Sequence, residues 1–145
     1  MEETKMNRKP TILIIDDDAD MVESVKKLLG SKGYDILSSD DPDEGYNKVR
    51  EIIPDLIILD VMFGNDQKTK GFDLARKLKI ESQFTGIPIL MLTGVNEKKP
   101  GFGFSPEEDR DFLPVDSFLD KPFHPGELFS KVEDLLQRKT MRSPI

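Results

Sequence analysis

The sequence predicts an α/β fold, a doubly wound parallel sheet of five strands with helices on both faces. Short runs rich in Ile and Leu, such as Thr11 to Ile15, Leu56 to Leu59 and Pro88 to Leu92, show no period-two alternation. They suit strands covered on both sides. Segments with helical spacing separate these runs, and right-handed crossovers turn that order into a doubly wound sheet. Polar residues follow each run directly: Asp16, Asp17 and Asp18; then Asp60; then Thr93; and, after Ser117 to Leu119, Asp120 and Lys121, with Pro122 next. Ligand sites in such sheets lie beyond the carboxyl ends of the strands, so these carboxylates, a hydroxyl and an ammonium are expected to meet at one edge.

Residues 1–10 are polar and read as a flexible lead-in, followed by a domain over 11–138 and a tail over 139–145. After the first strand, Asp20 with Glu23 reads as a capping box, and Val22, Val25, Leu28 and Leu29 mark a buried helical face. Gly30 and Gly33 stop that helix. A second strand, Tyr34 to Ser38, leads to Asp41-Pro42-Asp43-Glu44. There Asp41 caps, Pro42 takes the first helical position, Glu44 completes a box, and the helix ends near Ile53-Pro54. A third helix begins near Gly71 or Phe72 with Leu74, Ala75 and Leu78 inward.

Pro100, Gly101, Gly103 and Pro106 interrupt the stretch after the fourth strand, so the fourth helix is expected to be short or irregular, starting late at Ser105-Pro106. Ser117 to Leu119 forms the last strand. The final helix runs from about Gly126 to Gln137, burying Leu128, Val132, Leu135 and Leu136.

A chain of 145 residues suits one domain, without room for a second effector-sized one. A net charge of -7 with no dense Lys/Arg run argues against nucleic acid or anionic membrane as direct partners. Cys is absent, which removes disulfide and thiolate chemistry and fits a reducing compartment. No stretch approaches ~20 apolar residues, and the first residues lack the apolar core of a secretion signal. A cytoplasmic location is the expectation.

Two unit charges about 4 Å apart repel by on the order of 4 kcal/mol at an effective dielectric of about 20. Asp16, Asp17 and Asp60, brought together, therefore need a cation or must stay partly protonated. A hard divalent ion such as Mg²⁺ accepts carboxylate oxygens alongside water and phosphate. The same ion would neutralise a phosphoryl group arriving at a carboxylate, with Lys121 and Thr93 holding further oxygens.

Four segments now resemble a known family, the receiver domain of bacterial two-component response regulators. They are IleLeuIleIleAspAspAsp (Ile12 to Asp18), LeuIleIleLeuAspValMet (Leu56 to Met62), IleLeuMetLeuThrGly (Ile89 to Gly94) and PheLeuAspLysProPhe (Phe118 to Phe123), within roughly residues 11 to 136. The resemblance implies a flavodoxin-like sheet of order 2-1-3-4-5 and a stand-alone receiver that is not an enzyme in the ordinary sense. It implies that Asp60 accepts a phosphoryl group from a histidine kinase or phosphotransfer protein. Mg²⁺ would be bound directly by Asp17, mainly through water by Asp16, and by Asp60 and the Met62 backbone carbonyl. Thr93 would be the switch hydroxyl, Lys121 the phosphate-binding lysine, Phe118 the switch aromatic, and Lys121-Pro122 a cis peptide. Phosphorylation would alter docking to a downstream protein.

The chain also departs from the family. Met62 and Val95 stand where polar residues often orient water, so slow loss of the phosphoryl group is expected. Phe63-Gly64 replaces Met-Pro, and the loop Asn65 to Lys70, with Lys68 and Lys70, is longer than usual. The stretch between Thr93 and Lys121 is longer too, and carries Phe102, Phe104 and Phe112. These pack an irregular loop onto the body or form a partner surface. Asp18 and Asp20 are read as helix-cap or turn residues and His124 as a surface residue. Two rival readings remain: a haloacid-dehalogenase-like phosphatase, though Asp16-Asp17-Asp18-Ala19-Asp20 lacks the Thr of its motif, and an interaction module of receiver fold that is never phosphorylated.

Overall fold

The computed structural model describes residues 9–60, 70–93 and 115–141. The elements are β1 (Thr11–Ile15), α1 (Ala19–Gly30), β2 (Asp35–Ser39), α2 (Pro42–Ile52), β3 (Leu56–Asp60), α3 (Lys70–Ile80), β4 (Ile89–Thr93), β5 (Ser117–Asp120) and α4 (Pro125–Met141). All pairs are parallel, and the order is β2-β1-β3-β4-β5, the arrangement that the resemblance implied. The helix expected to begin at Ser105 lies outside the described residues.

Two cores explain why the strands read as continuous apolar runs. Ile12, Ile14, Leu56, Ile58, Leu90 and Leu92 face α1 and α4, meeting Val25, Leu29, Leu128, Val132 and Leu135. Their neighbours Leu13, Ile15, Ile57, Leu59, Ile89 and Met91 face α2 and α3, meeting Val49, Leu74, Ala75 and Leu78. Successive side chains point to opposite faces, and both faces are covered. The strand ends are thus held from above and below.

The helix starts refine the expectations. Asp18, not Asp20, caps α1, its carboxylate accepting the N–H groups of Asp20 at 3.0 Å and Met21 at 3.2 Å. The reason lies one turn earlier: Asp16 Oδ1 accepts the Asp18 N–H at 2.9 Å, bending the chain as soon as β1 ends. Asp20 falls in the first turn. Asp41 does cap α2, accepting the Glu44 N–H at 3.0 Å. The Glu44 carboxylate closes the box at one remove: it accepts the Ser39 hydroxyl at 2.9 Å, while Ser39 Oγ accepts the Asp41 N–H at 3.4 Å. At the far end of α2, Ile53 forms a left-handed cap with φ 49, its N–H bonded to the Val49 carbonyl at 2.9 Å.

Other boundaries moved slightly. The edge strand β2 begins at Asp35 rather than Tyr34, and α3 begins at Lys70. Helix α4 runs on to Met141 rather than stopping near Gln137, because good helix formers continue past Gln137 and Arg138 pairs with Asp134 at 2.7 Å.

Two contacts fix the strands that carry the polar ends. A Cβ on Gly45 would lie 2.8 Å from Ile15 Cδ1, so α2 approaches β1 as closely as a glycine permits. Lys79 Nζ donates to Asp116 Oδ2 at 2.9 Å and to the Ile87 carbonyl at 3.0 Å, while Asp116 Oδ2 also accepts the Ile89 N–H at 2.8 Å. This clasp joins the end of α3 to the starts of β4 and β5. Its side chains are only 20% and 17% exposed, so Lys79→Met should lower stability in urea by about 2 kcal/mol. Arg76→Met, which breaks an exposed pair with Asp73, should change it by less than about 0.5 kcal/mol.

Candidate functional site

The polar residues that follow the strands do converge at the carboxyl edge of the sheet. Asp16 leaves β1 with its N–H bonded to the Ser39 carbonyl at 3.0 Å, and its side chain is buried. Asp60, the last residue of β3, is buried as well, whereas Asp17 is exposed. Each of the three offers a carboxylate oxygen, and these atoms all lie within 4.8 Å of one another. Lys121 arrives from the end of β5, its N–H bonded to the Thr93 carbonyl at 2.7 Å. Its ammonium lies 3.0 Å from Asp60 Oδ1, with the lysine side chain 21% and the aspartate 6% exposed.

Asp16 bears most of the remaining strain. Its Oδ1 is engaged by the Asp18 N–H, while Oδ2 is buried and has no hydrogen-bond partner among the described residues. Burial, and then the charge of Asp60, push its carboxyl up to about 7, against the opposing pull of the Asp18 N–H and Lys121. An unpartnered buried oxygen beside two more carboxylates is the donor set that a hard divalent cation takes. A cleft of about 460 Å³ opens beside these groups, between the starts of α1 and α2, lined in part by Asp16, Asp17, Glu23, Asp40 and Glu44.

The switch candidates lie on the two strands beyond β3. Thr93, at the end of β4, is fully buried, and its hydroxyl donates to Asp120 Oδ1 at 2.9 Å. Phe118 is half-buried against the core shared with α2 and α3. The Lys121-Pro122 peptide is cis. His124 is exposed and precedes α4, its N–H bonded to Glu127 Oε1 at 3.0 Å. Met62, Val95, Phe102, Phe104 and Phe112 lie outside the described residues. Sequence reasoning assigned no role to Asp120. Only the pairing of Thr93 with Asp120 across β4 and β5 reveals its contact.

The raised Asp16 pKa sets a pH dependence. The folded state holds this proton more tightly than the unfolded chain, so the stabilisation it brings is complete below the ordinary value of 3.8 and lost as pH rises through about 7. In chelator, Asp16→Asn should therefore raise stability by on the order of 3 kcal/mol at about pH 8, with the gain shrinking toward about pH 4. Urea denaturation of both proteins across this range measures it.

The sequence model of the response regulator receiver domain matches residues 12–133. The alkaline phosphatase synthesis transcriptional regulatory protein PhoP of Bacillus subtilis is 33% identical over 142 residues, covering 96% of this chain and 52% of that protein. The chain thus spans about half the length of that relative. Among solved structures, the chemotaxis protein CheY4 of Vibrio cholerae superposes with a TM-score of 0.73 at 26% identity, covering 88% of this chain and 99% of that one. The signal receiver domain of a signal transduction histidine kinase from Syntrophus aciditrophicus gives a TM-score of 0.72 at 28% identity, covering 88% and 90%. Alike in sequence along most of its length and in the order of its strands, the chain belongs to the response regulator receiver domain family.

Proposed function

We propose that this chain accepts a phosphoryl group on Asp60 from a histidine kinase or phosphotransfer protein, and that the modification changes its docking to a downstream protein. The observation that carries the reading is the Lys121 ammonium 3.0 Å from Asp60, within a cluster of three convergent carboxylates. Receiver domains are signalling phospho-acceptors rather than enzymes in the ordinary sense, and they bind Mg²⁺ at an acidic cluster. Here Asp16, Asp17 and Asp60, with the Met62 backbone carbonyl, would hold that ion. When bound, it supplies positive charge that lowers the repulsion between the carboxylates and the phosphoryl oxygens.

The chain's own residues do the rest. An Asp60 oxygen attacks phosphorus, the phosphorus–nitrogen bond of a phosphohistidine donor breaks, and the imidazole leaves with that electron pair. An acyl phosphate results. Lys121 moves from Asp60 Oδ1 to a phosphoryl oxygen, exchanging one charge-assisted contact for another. The Thr93 hydroxyl turns toward the same group, and Phe118 follows into the space this opens. Moving such a switch from mostly off to mostly on takes about 5 kcal/mol of differential interaction, which contacts of this kind provide together.

The phosphatase alternative would need Asp16 as nucleophile. That carboxyl is buried and turned onto the Asp18 N–H, which suits it poorly for attack. Among the described residues no helix is long and apolar enough to cross a membrane. The reading puts the chain in the cytoplasm, with a protein rather than nucleic acid or a membrane as its partner. Phe102, Phe104 and Phe112 are candidates for the partner surface.

Intact-mass spectrometry after incubation with Mg²⁺ and phosphoramidate should show one phosphoryl adduct on the parent chain. The adduct should be absent from Asp60→Asn and from the parent in chelator. It should decay slowly, and faster in Met62→Asn. An adduct mapped to Asp16 would favour the phosphatase instead, and decay within seconds, unchanged by Met62→Asn, would remove the argument from Met62 and Val95.

A further inference from the structure

We infer that Asp120 is a positioning residue: it holds the Thr93 hydroxyl as a latch, and phosphorylation of Asp60 proceeds only as Thr93 leaves it. The inference rests on Asp60 being the phospho-acceptor.

Thr93 and Asp120 are directly paired in the parallel register of β4 and β5, which puts both side chains on one face of the sheet. The hydroxyl donates to Asp120 Oδ1 at 2.9 Å. The Lys121 N–H bonds the Thr93 carbonyl at 2.7 Å, so the two backbones are clamped where the side chains meet. A threonine hydroxyl carries one proton. Given to Asp120, it cannot also be given to a phosphoryl oxygen.

Asp120 is exposed, and its neighbour Lys121 reaches Asp60. One dipeptide therefore places an anion on the switch hydroxyl and a cation on the acceptor. Phosphorylation must exchange both contacts at once: Lys121 from Asp60 to the phosphoryl group, and Thr93 from Asp120 to the same group. An incoming phosphodonor also meets the negative charge of Asp120, so hydrogen bonding and charge must be separated in the test.

Asparagine keeps the acceptor oxygen and loses the charge, whereas alanine loses both. The experiment compares the initial rate of adduct formation with Mg²⁺ and phosphoramidate in the parent, Asp120→Asn and Asp120→Ala. Each is made with and without Thr93→Val. Loss of one competing hydrogen bond should speed Asp120→Ala by roughly fivefold, with Asp120→Asn within about twofold of the parent. In the Thr93→Val background the effect of Asp120→Ala should vanish, as a double-mutant cycle requires of residues acting through one contact. Side-chain couplings of Thr93 by NMR, without phosphodonor, should show one χ1 rotamer in the parent and Asp120→Asn and averaging in Asp120→Ala.

Equal acceleration by Asn and Ala, or acceleration that persists beside Thr93→Val, would assign the effect to charge and overturn the latch. So would equal rates in all Asp120 variants of a parent that does form the adduct. A parent that forms no adduct removes the phospho-acceptor reading itself, and the latch with it.

Discussion

Three carboxylates share the carboxyl edge of this sheet because the backbone leaves them no other place. Asp16 and Asp60 terminate neighbouring strands whose inner residues are locked in cores on both faces, and Asp17 follows Asp16 directly. Lys121 offsets part of the repulsion by pairing with Asp60, but Asp16 keeps an unpartnered buried oxygen among the described residues and a proton affinity far above that of an ordinary aspartate. The repulsion in this crowding is what a bound cation would relieve. In this sense the site is built against stability, as functional sites often are.

The surrounding structure keeps that crowding from relaxing. The close approach of α2 at Gly45 sets one flank, and the Lys79–Asp116 clasp fixes where β5 begins. From that start, four residues bring the chain to Asp120 and Lys121, whose side chains meet Thr93 and Asp60. A buried or half-buried ion pair adds little to net stability once desolvation is counted. Its value here is positional, since it holds the Lys121 ammonium against Asp60.

Much of this was legible in the chain. Apolar runs without alternation identified strands covered on both faces, and the polar residues after them located the edge. Asp41 was legible as a cap because Pro42 fixes the first helical position after it. Asp18 was not, since Asp18 and Asp20 both suit a cap, and the contact that decides between them runs back to Asp16. The start of β2 shifted because an edge strand with one neighbour and a half-exposed face leaves a weak pattern. The role of Asp120 was out of reach: its partner Thr93 precedes it by a long stretch of chain, and only the register of β4 against β5 unites them.

The most direct test of the carboxylate cluster is calorimetric titration with Mg²⁺ in buffers of different ionisation enthalpy, which counts the protons released on binding. A cation entering this site should expel the Asp16 proton, releasing on the order of half a proton at about pH 7, little above about pH 8, and markedly less in Asp16→Asn. Binding without proton release near pH 7, or release that Asp16→Asn leaves unchanged, would contradict the account.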